Sequence, residues 1–242
     1  MPRIDEITGS EGGFQFSGAG LDRLLEYGGE FTLASVAVDA SGSVSEFVDD
    51  INRVLGVIRS ALRNAATADK IVLRTTAFAD NVQELNGFEP VADAPDVQIQ
   101  LGGMTSLYDA IGDALVGICG YARTLADGEV LANGVLVVIT DGFENNSLQI
   151  RNEDELKARL KDARQDDALE SLTVILIAVN AREHEAKLKE LAQLLDLEAF
   201  IAIDQLEEQS LRRLARVVSK SVQAQSQALG SGNKADLNGI AF

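Results

Sequence analysis

The stretch VAVDASGSVSEF, residues 36–47, decides the fold. An apolar run ends on Asp39, and two serines, Ser41 and Ser43, follow on either side of a glycine. Runs of this kind form buried strands in parallel sheets, and the change to helical spacing after the second serine indicates a helix. The stretch therefore predicts a strand, a polar turn and a helix. Ser43 is placed to cap that helix, with Glu46 three residues later.

The rest of the chain repeats this alternation of strands and helices. Further strands are predicted at 71–78, 134–140, 172–179 and 199–203, and further helices at about 106–125, 153–165, 183–195 and 206–223. A short strand, 82–85, follows the 71–78 strand after a tight turn and pairs with it as a hairpin. The alternation predicts an α/β fold of three layers, with a doubly wound, mainly parallel sheet and one short antiparallel edge strand.

Both ends of the chain lack this alternation. Residues 1–20 are polar and glycine-rich and are predicted to be an extended arm or a poorly packed lead-in. With a short helix predicted at 21–27, they make up an N-terminal arm of residues 1–29. Residues 30–222 contain the alternating core and form the single predicted domain. Residues 223–242 are small and polar before a short apolar end, so a C-terminal tail is predicted.

Composition narrows the classes of partner. The chain has 242 residues, a net charge of −17 and one cysteine. So large a negative charge excludes nucleic acid and anionic membranes, and favours basic partners or divalent cations. One cysteine excludes an internal disulfide, and no segment resembles a secretion signal or a membrane span. We therefore expect a soluble protein of the reducing cytoplasm.

Three loops carry oxygen-bearing side chains beside predicted strands or glycine turns. The first contains Asp39, Ser41 and Ser43, the second contains Thr105 after two glycines, and the third contains Asp141. Because such loops meet at the carboxyl edge of a doubly wound sheet, we expect these side chains to converge. Two carboxylates and three hydroxyls, without His or Cys, suit Mg²⁺, or Mn²⁺ or Ca²⁺, better than zinc or copper.

Such an ion would keep a coordination position open for an outside anion. The most natural anion is an aspartate or glutamate carboxylate on a protein partner. Asp109 and Glu144 lie beside these loops in the sequence and are weaker candidates for contacting the ion or that partner. Helix capping or a solvated surface position is the alternative for both residues.

Together the three loops resemble the metal-ion-dependent adhesion site, or MIDAS, of von Willebrand factor A (VWA) domains. DASGS is similar to their D-x-S-x-S element, GGMTSLYDAI to their threonine loop, and VVITDGFENNS to their T-D-G loop, with all five positions filled. The resemblance covers about residues 30–222 and implies a VWA-like, Rossmann-like fold. It implies that the two serines bind the metal directly, that Thr105 joins in the ligand-bound state, and that the two aspartates act directly or through water.

The resemblance also implies a function. It points to a non-catalytic module in which the MIDAS metal coordinates an acidic residue of a protein partner. The sequences of the second and third loops, TSLYDAI and TDGFENNS, look more like those of intracellular bacterial members than those of secreted adhesins. Some of these proteins work beside AAA-type ATPases or in stress-response complexes, so a partner of that kind is implied.

Two alternatives remain open. A magnesium-dependent, phosphatase-like hydrolase would use Asp39 as a nucleophile, but Ser41 stands where a D-x-D pattern has its second acid. We therefore expect no enzymatic activity. The other alternative is a metal-independent scaffold that uses its terminal arms, including a homo-oligomer held together by the tails.

Three further residues receive structural predictions. Asp80 is predicted to be a turn residue, His184 to lie on the solvated face of a charged helix, and Cys119 to be a packed thiol. A histidine without a second metal ligand at helical spacing, and a cysteine without a nearby base, are weak functional signals.

Overall fold

A computed structural model describes residues 6–26 and 28–228, with side chains described as far as Gln225. The strands are β1 (Glu6–Glu11), β2 (Phe14–Ala19), β3 (Glu30–Asp39), β4 (Ile71–Phe78), β5 (Val82–Pro90), β6 (Leu131–Thr140), β7 (Leu172–Val179) and β8 (Ala199–Ile203). The helices are α1 (Leu21–Leu25), α2 (Val48–Arg63), α3 (Leu107–Ala126), α4 (Glu153–Arg164), α5 (Glu185–Leu194) and α6 (Glu208–Ala228).

The eight strands form one sheet in the order β1-β2-β5-β4-β3-β6-β7-β8. From β4 to β8 all neighbours run parallel, and β5 runs antiparallel to β4. Helices α2 and α6 cover one face of the sheet, and α3, α4 and α5 cover the other. This confirms the three-layer, doubly wound α/β fold. Among the described residues, no helix is both long and apolar enough to cross a membrane.

The central strands are apolar on both faces because each face is covered by helices. Successive residues of β3 point to opposite sides, so that Leu33 lies in the α3 layer while Val36 lies in the α2 and α6 layer. Helix α2 buries one stripe at steps of three and four, which includes Ile51, Leu55 and Ile58. Period-2 and period-3.6 patterns therefore position the strands whose ends carry the polar loops.

The N-terminal segment differs from the predicted arm. Strands β1 and β2 form an antiparallel hairpin at the edge of the sheet, and Phe14, Phe16 and Leu24 are buried. Helix α3 makes room for the hairpin, because a Cβ atom at Gly120 would lie 2.4 Å from Phe16 Cε1. The prediction of a poorly packed lead-in is wrong for residues 6–20, whereas the short helix predicted after them is present as α1. Only two alternating aromatic residues signalled the hairpin, and they stand among glycines.

Strand β5 is longer than the predicted 82–85 segment and is not the edge of the sheet. It runs to Pro90, and the N-terminal hairpin lies beyond it. Strand β2 pairs with β5 only at Gly18 and Phe88, where the two strands run parallel. The strands are therefore unpaired from that point toward the residues Phe14 and Val82, at the carboxyl edge of the central strands.

Helix α6 continues past the predicted domain boundary at residue 222. Gln225 is buried, its Nε2 donates to Thr173 Oγ1, and Asn133 Nδ2 donates to its main-chain oxygen over 2.6 Å. The last turns of α6 are therefore fastened to the amino ends of β6 and β7. The remainder of the predicted tail, residues 229–242, lies outside the described residues.

The fastening of α6 gives a first test. Replacing Gln225 with alanine removes the partner of Thr173 and leaves buried polar groups unpaired, so we expect a loss of about 1–3 kcal/mol in the free energy of unfolding. Urea denaturation measures this loss. Gln223, half-exposed on the same helix, supplies the control, and Gln223→Ala should change stability by less than about 0.5 kcal/mol. Equal effects of the two substitutions would show that the Gln225 contacts do not stabilise the fold.

Candidate metal centre

The first and third polar loops meet because β3 and β6 are parallel neighbours that end side by side. Ser43 Oγ donates to Asp141 Oδ1 over 3.0 Å, although the two residues are 98 positions apart. Ser41 Oγ and Ser43 Oγ are also 3.0 Å apart. The structure therefore brings both serines and the T-D-G aspartate into direct contact.

Asp39 lies beneath this contact. Its side chain is fully buried, with Oδ1 accepting from the Ser41 N–H over 2.9 Å and Oδ2 accepting from Thr140 Oγ1 over 2.6 Å. Thr140 was not among the predicted site residues, although it belongs to the T-D-G element. Its hydroxyl joins the ends of the two strands and fixes the Asp39 carboxylate.

Thr105 completes the group. A Cβ atom on Gly142 would lie 3.5 Å from Thr105 Oγ1 and 3.8 Å from Ser43 Oγ, so the two hydroxyls border a common space. All five predicted residues are thus brought together. A Cβ atom at Gly142 would be in ordinary van der Waals contact with both hydroxyls, at the border of this space.

The turn after Asp39 departs from the prediction. A 3₁₀ turn, Gly42–Glu46, precedes α2, which begins at Val48 and has no side-chain cap. Ser43 is therefore not the helix N-cap, because its hydroxyl is used by Asp141. The Gly42 N–H donates to the Gly103 carbonyl over 2.9 Å, which joins the first loop to the second.

Asp80 holds the second loop, so the prediction of a simple turn residue was incomplete. Its Oδ1 accepts from the Met104 N–H over 2.9 Å, and its main-chain oxygen accepts from Ser106 Oγ over 3.2 Å. Gly103 has a φ of 86°, and a Cβ atom there would lie 2.6 Å from the Asp80 carboxylate. Nothing near Asp80 in the sequence signals these contacts.

The third loop is fastened to the second by its amide residues. The Thr105 N–H donates to Asn145 Oδ1 over 2.8 Å, and the Asn145 N–H donates to the Thr105 carbonyl over 3.0 Å. Asn146 Nδ2 donates to the Asp80 carbonyl over 3.1 Å. The sequence offered a signal here, because an ENNS run follows T-D-G after Phe143 and such residues commonly shape loops.

Glu144 and Asp109, the weaker predicted candidates, are used by the protein backbone. Glu144 accepts from the N–H groups of Tyr108, Asn146 and Ser147. Asp109 accepts from three consecutive backbone N–H groups, of which Ile150 is the last, over 2.8 Å. Both carboxylates therefore shape the third loop, and these contacts give no support to a role in contacting an ion or a partner.

The two aspartates of the centre both have raised pKa values. Burial raises the pKa of Asp39 to about 6, despite hydrogen bonds from Ser41 and Thr140 that favour the charged form. Burial also raises the pKa of Asp141, against a hydrogen bond from Ser43. Within the described chain, no lysine or arginine forms an ion pair with either carboxylate. A bound cation would offset this cost of burying negative charge.

His184 lies closer to the centre than its sequence context suggested. The prediction of a fully solvated helix face is wrong, since the side chain is half-buried just before α5 and its Nδ1 is buried without a hydrogen bond. Its charge acts on Asp141 to lower the pKa of that carboxyl. The return of the chain after β7 brings His184 to this rim, which the local sequence could not reveal.

The donor set fits a hard cation. All five predicted side chains offer oxygen, and no group of three or more His, Cys, Asp or Glu residues in the described ranges is placed to hold a metal. Hydroxyl and carboxylate oxygens in this proportion suit Mg²⁺-like ions rather than a Cys/His zinc site. Ser43, Gly103 and Met104 are exposed while Asp39 is buried, so an ion here would be approached from the serine side.

Comparison by sequence gives no relative, since neither a protein-family model nor a curated protein matches the chain. Comparison with solved structures finds proteins of similar fold. The pilus adhesin SpaC from Lactobacillus rhamnosus GG matches with a TM-score of 0.57 and 10% identity, over 80% of this chain and 30% of that one. The PilB minor pilin from Streptococcus sanguinis matches with a TM-score of 0.54 and 13% identity, over 86% and 64%.

A third neighbour has a metal in a MIDAS motif of its own. It is proximal thread matrix protein 1 from the mussel byssus, with a zinc-occupied MIDAS motif, at a TM-score of 0.50 and 15% identity, over 89% of this chain and 49% of that one. The chain thus spans between 30% and 64% of the length of these three neighbours. At such low identities the likeness concerns the fold alone, and that fold is VWA-like.

Proposed function

We propose that this protein is a non-catalytic, divalent-metal-dependent module for binding other proteins. The residues that would hold Mg²⁺, or Mn²⁺ or Ca²⁺, are Asp39, Ser41, Ser43, Thr105 and Asp141. The observation that carries the proposal is the convergence of three hydroxyl side chains on two buried carboxylates that have no lysine or arginine partner among the described residues.

Each residue has a role set by its position. Ser41 and Ser43 offer hydroxyl oxygens directly. Thr105 offers a third hydroxyl oxygen at the common space near Gly142. Asp39 and Asp141 supply negative charge and anchor waters. When bound, the ion supplies positive charge at an open position, where a partner's aspartate or glutamate carboxylate would bind. The zinc-occupied MIDAS motif of the mussel protein supports divalent-metal binding in general.

The surroundings of the centre favour a protein partner. Three large apolar side chains are exposed on the loops at this edge of the sheet: Leu101 by 40%, Met104 by 49% and Leu148 by 68%. Apolar side chains around a polar centre are typical of protein interfaces. A carboxylate on the partner would then be fixed by the ion, and its neighbouring residues by these side chains.

Catalysis is not part of the proposal. Cys119 is buried, and that burial raises the pKa of its thiol to about 12, which makes it a poor nucleophile. In the described part of the chain, the acid or base groups at the metal centre are Asp39 and Asp141, which we assign to the ion, and His184, which neighbours Asp141. Asp39 is held by Ser41 and Thr140 at the bottom of the site, away from the exposed side.

The partner is proposed by class. An AAA-type ATPase or a stress-response complex in a bacterial cytoplasm is the assignment we favour, in keeping with the single cysteine. Two structural neighbours are a pilus adhesin and a pilin, so a cell-surface location is the competing assignment. Cell fractionation with an antibody against the protein distinguishes the two locations.

Metal binding is tested by a pair of serine variants. Ser43→Ala removes a hydroxyl that contacts both Ser41 and Asp141, so we expect Mg²⁺ affinity measured by calorimetry to fall by about tenfold or more. Ser45, exposed in the same 3₁₀ turn, provides the control, and Ser45→Ala should bind Mg²⁺ as the wild type does. If both variants keep full affinity, the centre does not use Ser43.

The Asp39 carboxylate gives a second test. Asparagine at this position keeps an acceptor for the Ser41 N–H but removes a buried charge. In the wild type this charge destabilises the folded state fully above the raised pKa of about 6, and it has no such effect below the ordinary value of 3.8, where the carboxyl is protonated. In EDTA near neutral pH, Asp39→Asn should therefore raise the free energy of unfolding by about 1–3 kcal/mol.

The same variant should lose the stabilisation that Mg²⁺ gives the wild type, because binding to the folded state alone raises its stability. Thermal denaturation with Mg²⁺ and with EDTA measures both effects. A variant that is less stable than the wild type in EDTA, or one that still gains stability from Mg²⁺, contradicts the proposed role of Asp39.

Partner binding is tested by capture from native lysate, with Mg²⁺ or with EDTA, followed by mass spectrometry. We expect a set of proteins that is retained only with Mg²⁺ and is lost with Met104→Gln. Leu131 is 39% exposed at the opposite end of β6, so Leu131→Gln is the matched control and should retain the same proteins. Capture that is indifferent to EDTA would reject metal-mediated binding.

A further inference from the structure

A cleft of about 680 Å³ opens beside the metal centre, between the N-terminal hairpin and β5. One wall is the hairpin, with Phe14 and Phe16 among its residues, and the facing wall includes Val82. Leu148 and Gln149, from the loop after β6, border the opening. The cleft is large enough for a long side chain and part of the backbone that carries it.

The cleft exists because β2 and β5 separate. Beyond the single pair Gly18 and Phe88, side chains replace the missing strand pairing. Arg74 Nη2 donates to the Gln15 carbonyl over 2.9 Å, and the Ser17 N–H donates to Glu84 Oε2 over 3.3 Å. The backbone of the hairpin is thus satisfied from below, and the space above these contacts stays open.

The polar lining carries an excess of negative charge. Four carboxylates line the cleft against one guanidinium, that of Arg74. Arg74 is buried and pairs with both Asp113, at 2.7 Å, and Glu84, at 2.5 Å. Asp109 is engaged by backbone N–H groups. Asp80 is exposed, and in the described part of the chain its Oδ2 makes no hydrogen bond.

Asp80 also joins the cleft to the metal centre. Its Oδ1 accepts from the N–H of Met104, the residue before Thr105. Asp80 therefore belongs both to the lining of the cleft and to the contacts that hold the Thr105 loop, so a partner segment whose carboxylate is bound beside Thr105 would have its neighbouring residues near the cleft.

We propose that the cleft binds a basic side chain, arginine or lysine, from the same partner segment whose carboxylate binds the metal. This inference rests on the proposed function. The aliphatic part of the side chain packs against Phe14, Phe16 and Val82, and its charged end reaches Asp80 and Glu84. Long basic side chains bury their stems in this manner while the charged end stays paired.

The arrangement resolves a difficulty of charge. A protein with a net charge of −17 repels an acidic ligand, and an ion at one point relieves only the local repulsion. A partner segment with one acidic and one basic residue is attracted at both positions. Specificity then comes from the distance between the two charges on the partner as well as from the ion.

The first experiment probes the cleft without metal. Nα-acetyl-arginine methylamide is titrated into ¹⁵N-labelled protein in EDTA, with Nα-acetyl-glutamine methylamide as the neutral comparison. We expect the arginine probe alone to shift the amide signals of Gln15, Asn81 and Gln149. No shift at these positions, or equal shifts with both probes, would overturn the inference.

Two variants locate the binding. Asp80→Asn keeps an acceptor for Met104 but removes the charge, and should weaken the arginine probe by about threefold or more. Gln149→Lys places a competing cation at the mouth of the cleft and should abolish the shifts. Asp167→Asn and Gln165→Lys make the same changes of charge at exposed positions outside the cleft lining and should leave binding unchanged. Equal affinity in all four variants also contradicts the inference.

The second experiment separates this inference from the proposed function. Peptides that contain one glutamate and one lysine at varied spacing are compared, with Mg²⁺ and with EDTA, against copies that carry norleucine instead of lysine. We expect Mg²⁺-dependent binding that is at least about fivefold stronger with lysine at the best spacing. Mg²⁺-dependent binding without preference for lysine would sink the inference and leave the metal module intact. Preference for lysine without dependence on Mg²⁺ would instead reject the metal-bound carboxylate.

Discussion

Two negative charges held side by side at the ends of neighbouring parallel strands are the constraint on which this structure depends. The pairing of β3 with β6 fixes Asp39 and Asp141 at the same edge of the sheet, and burial denies them water. Hydrogen bonds from Ser41, Thr140 and Ser43 offset part of the cost. Such bonds leave the net charge in place, and for that reason a cation is the natural complement of the site.

Hydrogen bonds within the protein hold the loops around these charges in place without an ion. Asp80, Glu144 and Asp109 accept hydrogen bonds from backbone N–H groups of the second and third loops, and Asn145 ties those loops to each other. Backbone groups in irregular loops need such partners, because they have no strand or helix neighbour. The acidic residues of this rim thus divide into those that shape the loops and those that face the common space.

The sequence was informative wherever a pattern is local or where a strand end determines position. The parallel core follows from alternating strands and helices, and the convergence of Asp39, Thr105 and Asp141 follows from the rule that such strands end at one edge. Asp80 and His184 escaped prediction because their contacts are with loops distant in sequence. Their roles depend on how the turns after β4 and β7 approach the rim, which no short window records.

The hairpin and the end of α6 escaped for a different reason. Each contributes few apolar residues, Phe14 and Phe16 in one case and Val222 in the other, and each is stabilised by what the remainder of the fold presents to it. Gly120 on α3 accommodates Phe16, and Thr173 on β7 accepts from Gln225. When a segment is stabilised mainly by contacts with distant parts of the chain, its own sequence predicts only an arm or a tail.

The single pair that joins β2 to β5 has an evolutionary consequence. Because Phe16 packs on α3, and one backbone pair with side-chain contacts from Arg74 and Glu84 joins β2 to the sheet, the turn and outer strand of the hairpin can change while β3 and β6 stay unchanged. Descendants of one ancestor could then exchange partners by altering residues 6–13 alone, while the residues proposed to hold the ion stay unchanged. The surface that selects the partner and the residues proposed to hold the ion would then evolve independently of each other.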